Sequence, residues 1–416
     1  MTDALIWIIV AVTFLLVLVR PKKISEAIWA ALGALLLVLL RVIPVHDALA
    51  AVRQGTDVYL FLTGMMLLAE LARREGFFDW AAFIALKVAK GSHKRLFAIV
   101  YAVGTVTTIF LSNDATAVVL TPAVLAVLRR ARANPLPYLF ICAFIANAAS
   151  FVLPISNPAN LVIYGAMIPA LTSWLRIFGA ASVAAIVVTF VVLRLAFQKD
   201  LQGESPSEVD RVHLSAAGRQ AGYGIAGAGL ALILASGFKM DLGLPTLLVA
   251  LGVGALVSLK DRDAPLGVLR EISWRVLPLV AGLFVLVEGI RKAGGLRLIQ
   301  IALQAAEKSD PWVGSLSAAF SVAFASNVAN NLPVGLIVGR AIQIGNVSGV
   351  IQNATVIGVD LGPNLSVTGS LATILWLLVL RQAGEDVSFW KFLRLGILVT
   401  PPALVLAVLA SLLTGP

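Results

Sequence analysis

The strongest constraint in this sequence is a series of apolar stretches, each about as long as a membrane is thick. Examples are residues 4–19, 24–40, 182–197 and 392–413. A helix needs roughly 17 to 25 residues to cross the hydrocarbon core of a bilayer. Only 13% of the 416 residues are charged, whereas soluble domains contain about 25%. The sequence therefore predicts an all-α integral membrane protein.

The apolar stretches predict about ten spanning helices. They lie near residues 4–19, 24–43, 57–72, 137–169, 171–197, 221–238, 244–259, 276–290, 354–380 and 393–413. Two further apolar pieces, near 96–128 and 312–344, are interrupted by polar residues, and we interpret them as re-entrant hairpins. No small-residue cleavage site separates the first two spans, so the first is expected to be a retained helix and not a signal peptide.

The basic residues indicate how the chain is oriented. If the two interrupted pieces are re-entrant, four basic segments fall on one side of the membrane: residues 20–23, 73–95, 129–132 and 198–220. The positive-inside rule makes this side cytoplasmic and places both termini outside. Arg291, Lys292 and Arg297 fall outside, against the rule. Because the basic residues occur singly or in short clusters, the net charge of +10 indicates membrane topology and not nucleic-acid binding.

The most polar stretch lies near the midpoint of the chain. It contains the run QKDLQGESPSEVDRVH, which begins at Gln198, and such polar, turn-forming runs are typical of solvated connectors. We therefore expect a first repeat at residues 1–197, a cytoplasmic linker at 198–220 and a second repeat at 221–416.

Four residues recur at identical spacing in the two halves. They are Gly64, Glu70, Arg73 and Gly76 in the first half, and Gly282, Glu288, Arg291 and Gly294 in the second. Such self-similarity predicts an internal repeat. With five spans and one hairpin in each half, the second half must run inverted, as in secondary transporters whose site lies between the repeats. We interpret each Glu and Arg as an ion pair at a helix end; the alternative is a buried charged couple that acts in transport.

Each half is also broken twice by polar residues at membrane depth. The first breaks are Ser-Asn turns at residues 112–113 and 326–327, and the second breaks lie at residues 156–161 and 362–365. Non-helical backbone within a membrane survives only inside protein or beside a water-filled cavity. The breaks are therefore the predicted transport site.

The side chains at the breaks define the candidate substrate site. They are Ser112, Asn113, Thr116, Asn157, Asn160, Ser326, Asn327, Asn330, Asn331, Asn364 and Thr368. Amide groups both donate and accept hydrogen bonds, so this set suits a neutral solute that carries several hydroxyl groups. The alternative is that these side chains only cap helix ends.

Asp114 differs from the other candidates because an ionisable group inside a membrane segment is costly and is usually functional. Burial would favour its protonated form, so we predict that Asp114 couples transport to protons. The alternative is a charged carboxylate that caps a helix N-terminus. Asp360, just before the second break of the second half, is a weaker candidate of the same kind.

Other chemistries receive little support from the sequence. Cys142 is the only cysteine and lies in an apolar run, so we expect a small buried side chain and no disulfide or thiolate metal site. A membrane-embedded enzyme would need a nucleophile with a base, or a metal cluster. The three histidines, His46, His93 and His213, all fall in predicted loops. We therefore expect a transporter without a cofactor and not an enzyme.

Three segments resemble the ArsB arsenite efflux permeases of the ion transporter superfamily, which also includes divalent-anion/sodium symporters. They are LSNDATAVVLTP from Leu111, SNVANNLP from Ser326 and DLGPNLSVTGSLATILW from Asp360. The last is the most family-specific, whereas the Ser-Asn turns are shared by the superfamily. The similarity extends in order and length over essentially the whole chain.

The resemblance implies outward transport of arsenite and antimonite across the plasma (inner) membrane by proton antiport, sometimes with a soluble cytoplasmic ATPase. By position, the amides at both hairpins and both second breaks, with Asp114 and Thr368, would form the substrate site. The symporters typically have Ser-Asn-Thr where this chain has Ser112-Asn113-Asp114, and a carboxylate there disfavours an anionic substrate. The alternatives are a sodium-coupled dicarboxylate or sulfate symporter and a silicic acid exporter.

Overall fold

The computed structural model of the protein describes residues 2–19, 21, 24–131, 133–165, 168–202, 213–237, 240–258 and 264–414. The regular elements within these residues are helices, which confirms the predicted all-α fold. Part of the basic surface on which the orientation depends lies outside the described residues, namely Arg20, Lys22, Lys23, Arg132 and the centre of the linker at 203–212.

The helices of the first half fit the predicted spans. They are α1 (Thr2–Val19), α2 (Glu26–Leu39), α3 (Val45–Gln54), α4 (Thr56–Arg74), α5 (Phe77–Ala89), α6 (His93–Leu111), α7 (Asn113–Ala115), α8 (Thr121–Ala131), α9 (Leu136–Ala148), α10 (Pro158–Tyr164) and α11 (Leu171–Ala196). A π-helical turn at Thr116–Leu120 joins α7 to α8, and a 3₁₀ turn at Pro154–Ser156 lies between α9 and α10.

The second half repeats this order after the linker. Its helices are α12 (Ala216–Gly237), α13 (Gly243–Ser258), α14 (Ala264–Glu271), α15 (Val276–Lys292), α16 (Gly295–Lys308), α17 (Pro311–Ala329), α18 (Asn331–Gly345), α19 (Gly349–Leu361), α20 (Leu371–Gln382) and α21 (Phe389–Thr414). A 3₁₀ turn at Gly362–Leu365 follows α19.

Apolar surface on the outer helices is consistent with a lipid environment. Among the described helices, α6, α11, α17 and α21 are each long and apolar enough to cross a membrane, and the pair α3 and α4, bent by 47°, makes a fifth candidate. Several other predicted spans are shorter apolar helices, such as α1, α2 and α13, or two pieces joined at a break, such as α9 and α10. Large side chains such as Leu39 and Val183 are exposed by 67% and 61%, and the hydrocarbon of a bilayer would cover them.

The repeated glutamate and arginine form an ion pair in each half. The Arg73 guanidinium donates to Glu70 at 2.9 and 3.0 Å, and Arg291 Nε donates to Glu288 at 2.8 Å. Each pair lies at the last turn of its helix, α4 or α15. This arrangement supports the interpretation of these residues as ion pairs at helix ends. Arg73 also contacts Glu271.

The repeated glycines have two different physical roles. Gly76 and Gly294 have φ angles of +73° and +74°, a left-handed conformation that glycine adopts without steric cost and that ends α4 and α15. Gly64 and Gly282 instead allow close helix packing. A Cβ at Gly64 would lie 2.8 Å from the backbone of α13, and one at Gly282 would lie 2.8 Å from the Ala30 carbonyl of α2.

Both predicted hairpins are present, but the second turn is not where the sequence pattern placed it. The first arm α6 ends at Ser112, with φ +104°, and the first arm α17 ends at Asn330, with φ +72°. Ser326 and Asn327, the predicted Ser-Asn turn, lie in the last helical turns of α17. Their side chains bond back to the carbonyls of Val322 and Ala323 at 2.9 and 2.8 Å, and α17 is continuous there up to Ala329.

The second break in each half is also present and divides a span into two pieces. Asn157 caps α10 through a bond from Ala159 N–H to its Oδ1 (3.0 Å), and Ser370 caps α20 through a bond from Thr373 N–H to its Oγ (3.1 Å). One piece of each broken span packs against the hairpin of the other half: α10 packs against α18 of the second hairpin, and α20 packs against α7 of the first.

Helix α9 lies at the centre of the molecule. All of its residues from Pro137 to Ala148 are buried, so this helix has no lipid-facing or solvent-facing side. Cys142 is fully buried within it, as the sequence predicted.

We expect Gly282→Ala to destabilise the fold, because its methyl group would overlap the Ala30 carbonyl. Overpacking of this kind typically costs roughly 1 to 3 kcal/mol. Gly179→Ala on α11 is the matched control, since nothing lies within 4 Å of its added Cβ. Thermal unfolding in detergent, followed by tryptophan fluorescence, should show a lower midpoint for the first variant only. Equal midpoints would contradict the packing role of the repeated glycine.

Candidate functional site

The first hairpin turn holds a carboxyl group with no partner. Ser112 N–H closes α6 by donating to Thr108 O (3.1 Å), and the positive φ of Ser112 then redirects the chain into α7. Asn113 Oδ1 accepts from Asp114 N–H (2.9 Å), which fixes the start of the second arm. Asp114 is half-buried, and its carboxyl group has no hydrogen-bond or ion-pair partner among the described residues.

A cavity of about 100 Å³ opens in front of this turn. We name it the Glu70 cavity. Both halves of the chain contribute to it; its lining includes Phe61, Met66, Ala69, Glu70, Ser112, Asp114, Val118, Pro158, Ser273 and Leu375. A single water needs about 10 to 15 Å³ of volume measured in this way. The cavity therefore has room for a solute of a few heavy atoms, which would contact the Ser112 hydroxyl and the Asp114 carboxyl group.

The other two candidates of the first hairpin point away from this cavity. Asn113 is 3% exposed and serves the turn itself. The Thr116 hydroxyl is fully buried and lies 2.8 Å from the Thr108 hydroxyl on α6. Thr116 begins the π-helical turn at Thr116–Leu120, an irregularity that is frequent at functional sites.

The second hairpin turn is docked on the second break of its own half. Asn327 Nδ2 donates to Gly362 O (2.8 Å), and its Oδ1 accepts from the Ser366 hydroxyl (2.6 Å). The Thr368 hydroxyl donates to Asn327 O (3.2 Å). The backbone N–H of Asn331 donates to Gly369 O (2.8 Å). These bonds satisfy backbone groups that the break would otherwise leave unpaired in the membrane.

Little space is left at this second turn. Asn330 and Thr368 line a cavity of about 20 Å³, together with Glu26, Leu332 and Pro333, which is enough for one water. Asn330 Oδ1 caps α18 by accepting from Leu332 N–H (3.3 Å). The two hairpin turns thus differ: the first faces a solute-sized cavity, and the second is closed.

The remaining amide candidates belong to a fully buried polar network where the two broken spans meet. Asn364 Nδ2 donates to Phe144 O (3.1 Å), and Asn364 Oδ1 accepts from Asn147 Nδ2 (2.9 Å). Asn157 Nδ2 donates to Asp360 Oδ1 (2.5 Å). These bonds connect the first half directly to the second. We name residues 147, 150, 157, 160, 360 and 364 the crossing network.

The predicted site residues therefore separate into three groups. Ser112 and Asp114 line the Glu70 cavity, whereas Asn330, Asn331, Asn327 and Thr368 lie at the closed second turn. Asn157, Asn160 and Asn364 belong to the crossing network. The hydroxyl groups of Thr116 and Ser326 bond within their own hairpins.

Sequence analysis missed three members of these clusters: Asn147, Ser150 and Ser366. A signal for Asn147 was present, because the interval from Asn147 to Asp360 equals the interval from Asn157 to Ser370. This interval relates α9 to α19, and it makes Asn147 the counterpart of Asp360.

A second, larger cavity lies beside the corresponding glutamate of the second half. It has a volume of about 330 Å³ and we name it the Glu288 cavity; its polar lining is Gln54, Glu288, Arg340 and Gln343. Met66, Ala69 and Glu70 of the first cavity have Phe284, Val287 and Glu288 as their counterparts in the second. One cavity thus lies beside the ion pair of each repeat, and residues of both halves line both cavities.

The two cavities differ in charge. The Glu70 cavity contains the unpaired Asp114 carboxyl group. The residue that corresponds to Asp114 in the second half is Leu332. The Glu288 cavity contains the Arg340 guanidinium, which has no ion-pair partner among the described residues, whereas Glu288 is paired with Arg291. No cluster of three or more His, Cys, Asp or Glu that could hold a metal was found in the described ranges.

Comparison with known proteins relates the chain to membrane transporters. The CitMHS family model, described as a citrate transporter, matches residues 5–359. An arsenical pump membrane protein of Escherichia coli strain K12 is 30% identical over 409 residues, which are 95% of each chain. Another from Yersinia enterocolitica is 28% identical over 408 residues, again 95% of each chain.

A solved structure resembles this fold. The YdaH transporter of Alcanivorax borkumensis, whose structure is described as having an unusual topology, matches with a TM-score of 0.55 and 16% identity over 89% of each chain. At this identity the likeness concerns the fold alone. The family model and the relative at 30% identity both cover most of the chain, so the protein belongs to the ArsB family of arsenical pump membrane proteins, within the ion transporter superfamily.

Proposed function

We propose that this protein exports arsenite and antimonite from the cytoplasm by proton antiport. The observation that carries the proposal is the unpaired carboxyl group of Asp114, which lies on a hairpin turn and faces a cavity large enough for a small solute. The names of the E. coli and Yersinia relatives, both arsenical pump membrane proteins, support arsenical substrates. The plasma membrane is the expected location, with both termini outside.

The proposed mechanism is alternating access between two inverted repeats, 1–197 and 221–416, joined by a cytoplasmic linker at 198–220. Three observations support it: the repeated order of helices, the two hairpins, and a cavity beside the glutamate and arginine pair of each repeat. In this scheme the Glu70 cavity opens to the cytoplasm and the Glu288 cavity to the outside. The hairpins and broken helices would move together, as in an elevator, against the other helices.

A neutral substrate fits the chemistry of the Glu70 cavity. The parent acid of arsenite is an uncharged trihydroxide at neutral pH, and its hydroxyl groups can donate to a carboxyl oxygen and accept from the Ser112 hydroxyl. A carboxylate would repel an anion in this poorly solvated space. Silicic acid is also a small neutral hydroxide, so the same residues would accept it.

Proton exchange at Asp114 would supply the driving force. Movement of a neutral solute carries no charge, so accumulation against a gradient requires another ion to move in exchange. Asp114 borders the cavity, so a proton can reach it from water. No cation lies beside it among the described residues. The protonated form would cross at little electrostatic cost, whereas an ionised carboxylate would be disfavoured in a closed, dry state.

A sodium-coupled carboxylate symporter is the second candidate. The family description as a citrate transporter favours it, and the Arg340 guanidinium in the Glu288 cavity would suit a carboxylate ligand. The purified protein in proteoliposomes separates the candidates. Arsenite, antimonite, silicic acid and citrate would be offered in turn, with an imposed proton or sodium gradient. Citrate uptake driven by sodium, without arsenite movement, would overturn the arsenite proposal.

We expect Asp114→Asn to lose accumulation of arsenite driven by a pH gradient. The amide matches the protonated acid in shape but cannot release a proton, so downhill arsenite exchange should persist. Asp79→Asn is the matched control, because Asp79 is exposed on α5 and remote from the cavity lining. Flux measurements in everted vesicles would check both. Proton-driven accumulation in Asp114→Asn would show that another group carries the proton.

We expect Ser112→Gly to weaken arsenite transport without loss of fold. Glycine accepts the φ of +104°, so the change removes only the Cβ and the hydroxyl group that lines the cavity. Loss of one hydrogen bond costs about 0.5 to 1.5 kcal/mol, which corresponds to a KM increase of roughly 2- to 12-fold. Lys90→Gly is the control, since Lys90 also has a positive φ, +48°, but lies outside the cavity. Equal KM values in both variants would assign Ser112 to the turn alone.

A further inference from the structure

The crossing network contains a second carboxyl group that is sealed from water. Asp360 lies in the last turn of α19 and is 0% exposed. Its Oδ1 accepts from Asn157 Nδ2 at 2.5 Å, and the side chains of Ser150 and Asn160 also contact this carboxyl group. Asp360 thus lies where the broken span of one half meets that of the other.

Among the described residues, no cation neutralises this carboxyl group. The helices packed against α19 are α9, α10, α11, α16, α17, α18 and α21. Their titratable residues are Tyr138, Cys142, Tyr164, Arg176, Arg194, Arg297, Glu307, Lys308, Arg340, Lys391 and Arg394. None of these interacts with Asp360; its polar contacts in the described structure are Asn157, Ser150 and Asn160. An ionised Asp360 would therefore be a buried, unpaired charge.

The network also lacks hydrogen-bond donors. Asp360 Oδ2, Asn147 Oδ1 and Asn160 Oδ1 are buried and have no partner among the described residues. All three atoms are acceptors, and buried acceptors are normally satisfied. The cluster therefore contains more buried acceptor atoms than hydrogen atoms to be donated to them.

Rotation of the amides does not supply the missing donors. Asn160 Nδ2 already donates to Ser150 O at 2.8 Å, and Asn147 Nδ2 donates to Asn364 Oδ1 at 2.9 Å. Reversing either amide would place one oxygen against another. Among the described side chains of this network, the acid form of Asp360 can provide the missing hydrogen.

The counterpart position in the first half supports this reasoning. Asn147 corresponds to Asp360, and Thr373 corresponds to Asn160 by the same interval. Asn147 Nδ2 lies 3.5 Å from the Thr373 hydroxyl, so an N–H group faces the opposite half there. At Asp360, only an O–H group could make the equivalent donation to the Asn160 side chain.

We propose that Asp360 is a second proton-binding site of this protein, formed by the crossing network and occupied by a proton in this conformation. Because the site is closed on all sides, its proton exchanges with water only when the broken helices separate. The role of this site in coupling transport to protons rests on the proposed function, in which the same helices move during transport. The presence of the proton does not depend on the substrate.

Infrared spectroscopy of the purified wild-type protein tests the proposal directly. The carbonyl stretch of a protonated, buried carboxylic acid is separated from the bands of carboxylates and amides. We expect one such band at neutral pH that disappears in Asp360→Asn. It should persist in Asp114→Asn and in the exposed control Asp79→Asn. A spectrum that Asp360→Asn leaves unchanged would overturn the proposal.

A bound sodium ion is the competing explanation for the unpaired oxygens, since hard cations prefer oxygen ligands. Spectra in sodium-free and sodium-containing buffer distinguish the two. The acid band should be the same in both buffers, and its loss upon addition of sodium would overturn the proposal. This experiment uses no arsenite, so its outcome is independent of whether arsenite is the transported solute.

Thermal unfolding provides an independent measurement. A neutral acid that becomes ionised in place would leave a buried charge, so the wild-type midpoint should fall as the pH rises. Asp360→Asn retains a donor that cannot ionise, as Asn147 does, and its midpoint should not show this part of the pH dependence. If Asp360→Asn does not fold, Asp360→Glu should shift the acid band to a new position. Identical pH profiles or an unshifted band would overturn the proposal.

Discussion

The structure depends on the pairing of backbone groups at breaks inside the membrane, where no water replaces a lost helical hydrogen bond. Each break is hydrogen-bonded to the hairpin of its own half. The Ser156 hydroxyl donates to Ile109 O (2.9 Å), and Asn331 N–H donates to Gly369 O (2.8 Å). A hairpin that moved away alone would leave these groups unpaired. The hairpins and broken helices therefore form one structural unit, which is the physical basis for proposing that they move together.

The function requires the two halves to differ, although the fold repeats. The first turn has Asp114 where the second has Leu332. Arg340, which lines the second cavity, has Pro122 as its counterpart in the first half. These exchanges place an acid on one side and a guanidinium on the other. A symmetric pair of sites would bind a solute equally well on both sides of the membrane. It would also provide no specific site for the coupling ion. Shared glycines and ion pairs preserve the architecture, and the differing residues determine its chemistry.

The pattern of apolar and polar residues is sufficient to predict the apolar spans, both hairpins and the second break of each half, because each depends on residues close in sequence. The sequence pattern places the second turn one helical turn too early. That prediction compares the Ser-Asn dipeptides of the two halves and does not use the constant interval between corresponding residues. The distance from Gly64 to Gly282 equals that from Ser112 to Asn330, and this equality would have given the correct position. The crossing network was not predictable by pattern, because Asn157 and Asp360 are 203 residues apart in the chain and meet only in the folded structure.

Access to water distinguishes the two acids of the proposed cycle. Asp114 borders a cavity and would exchange its proton whenever that cavity is open, whereas Asp360 is enclosed between helices that would have to separate first. A charge at Asp114 would therefore be tolerated in the open state and disfavoured in the closed one. A charge at Asp360 would weaken the contact between the halves in either state. In this scheme Asp114 is placed to exchange protons with the solution. Asp360 is placed to control the movement, because its protonation favours the packed arrangement of the broken helices.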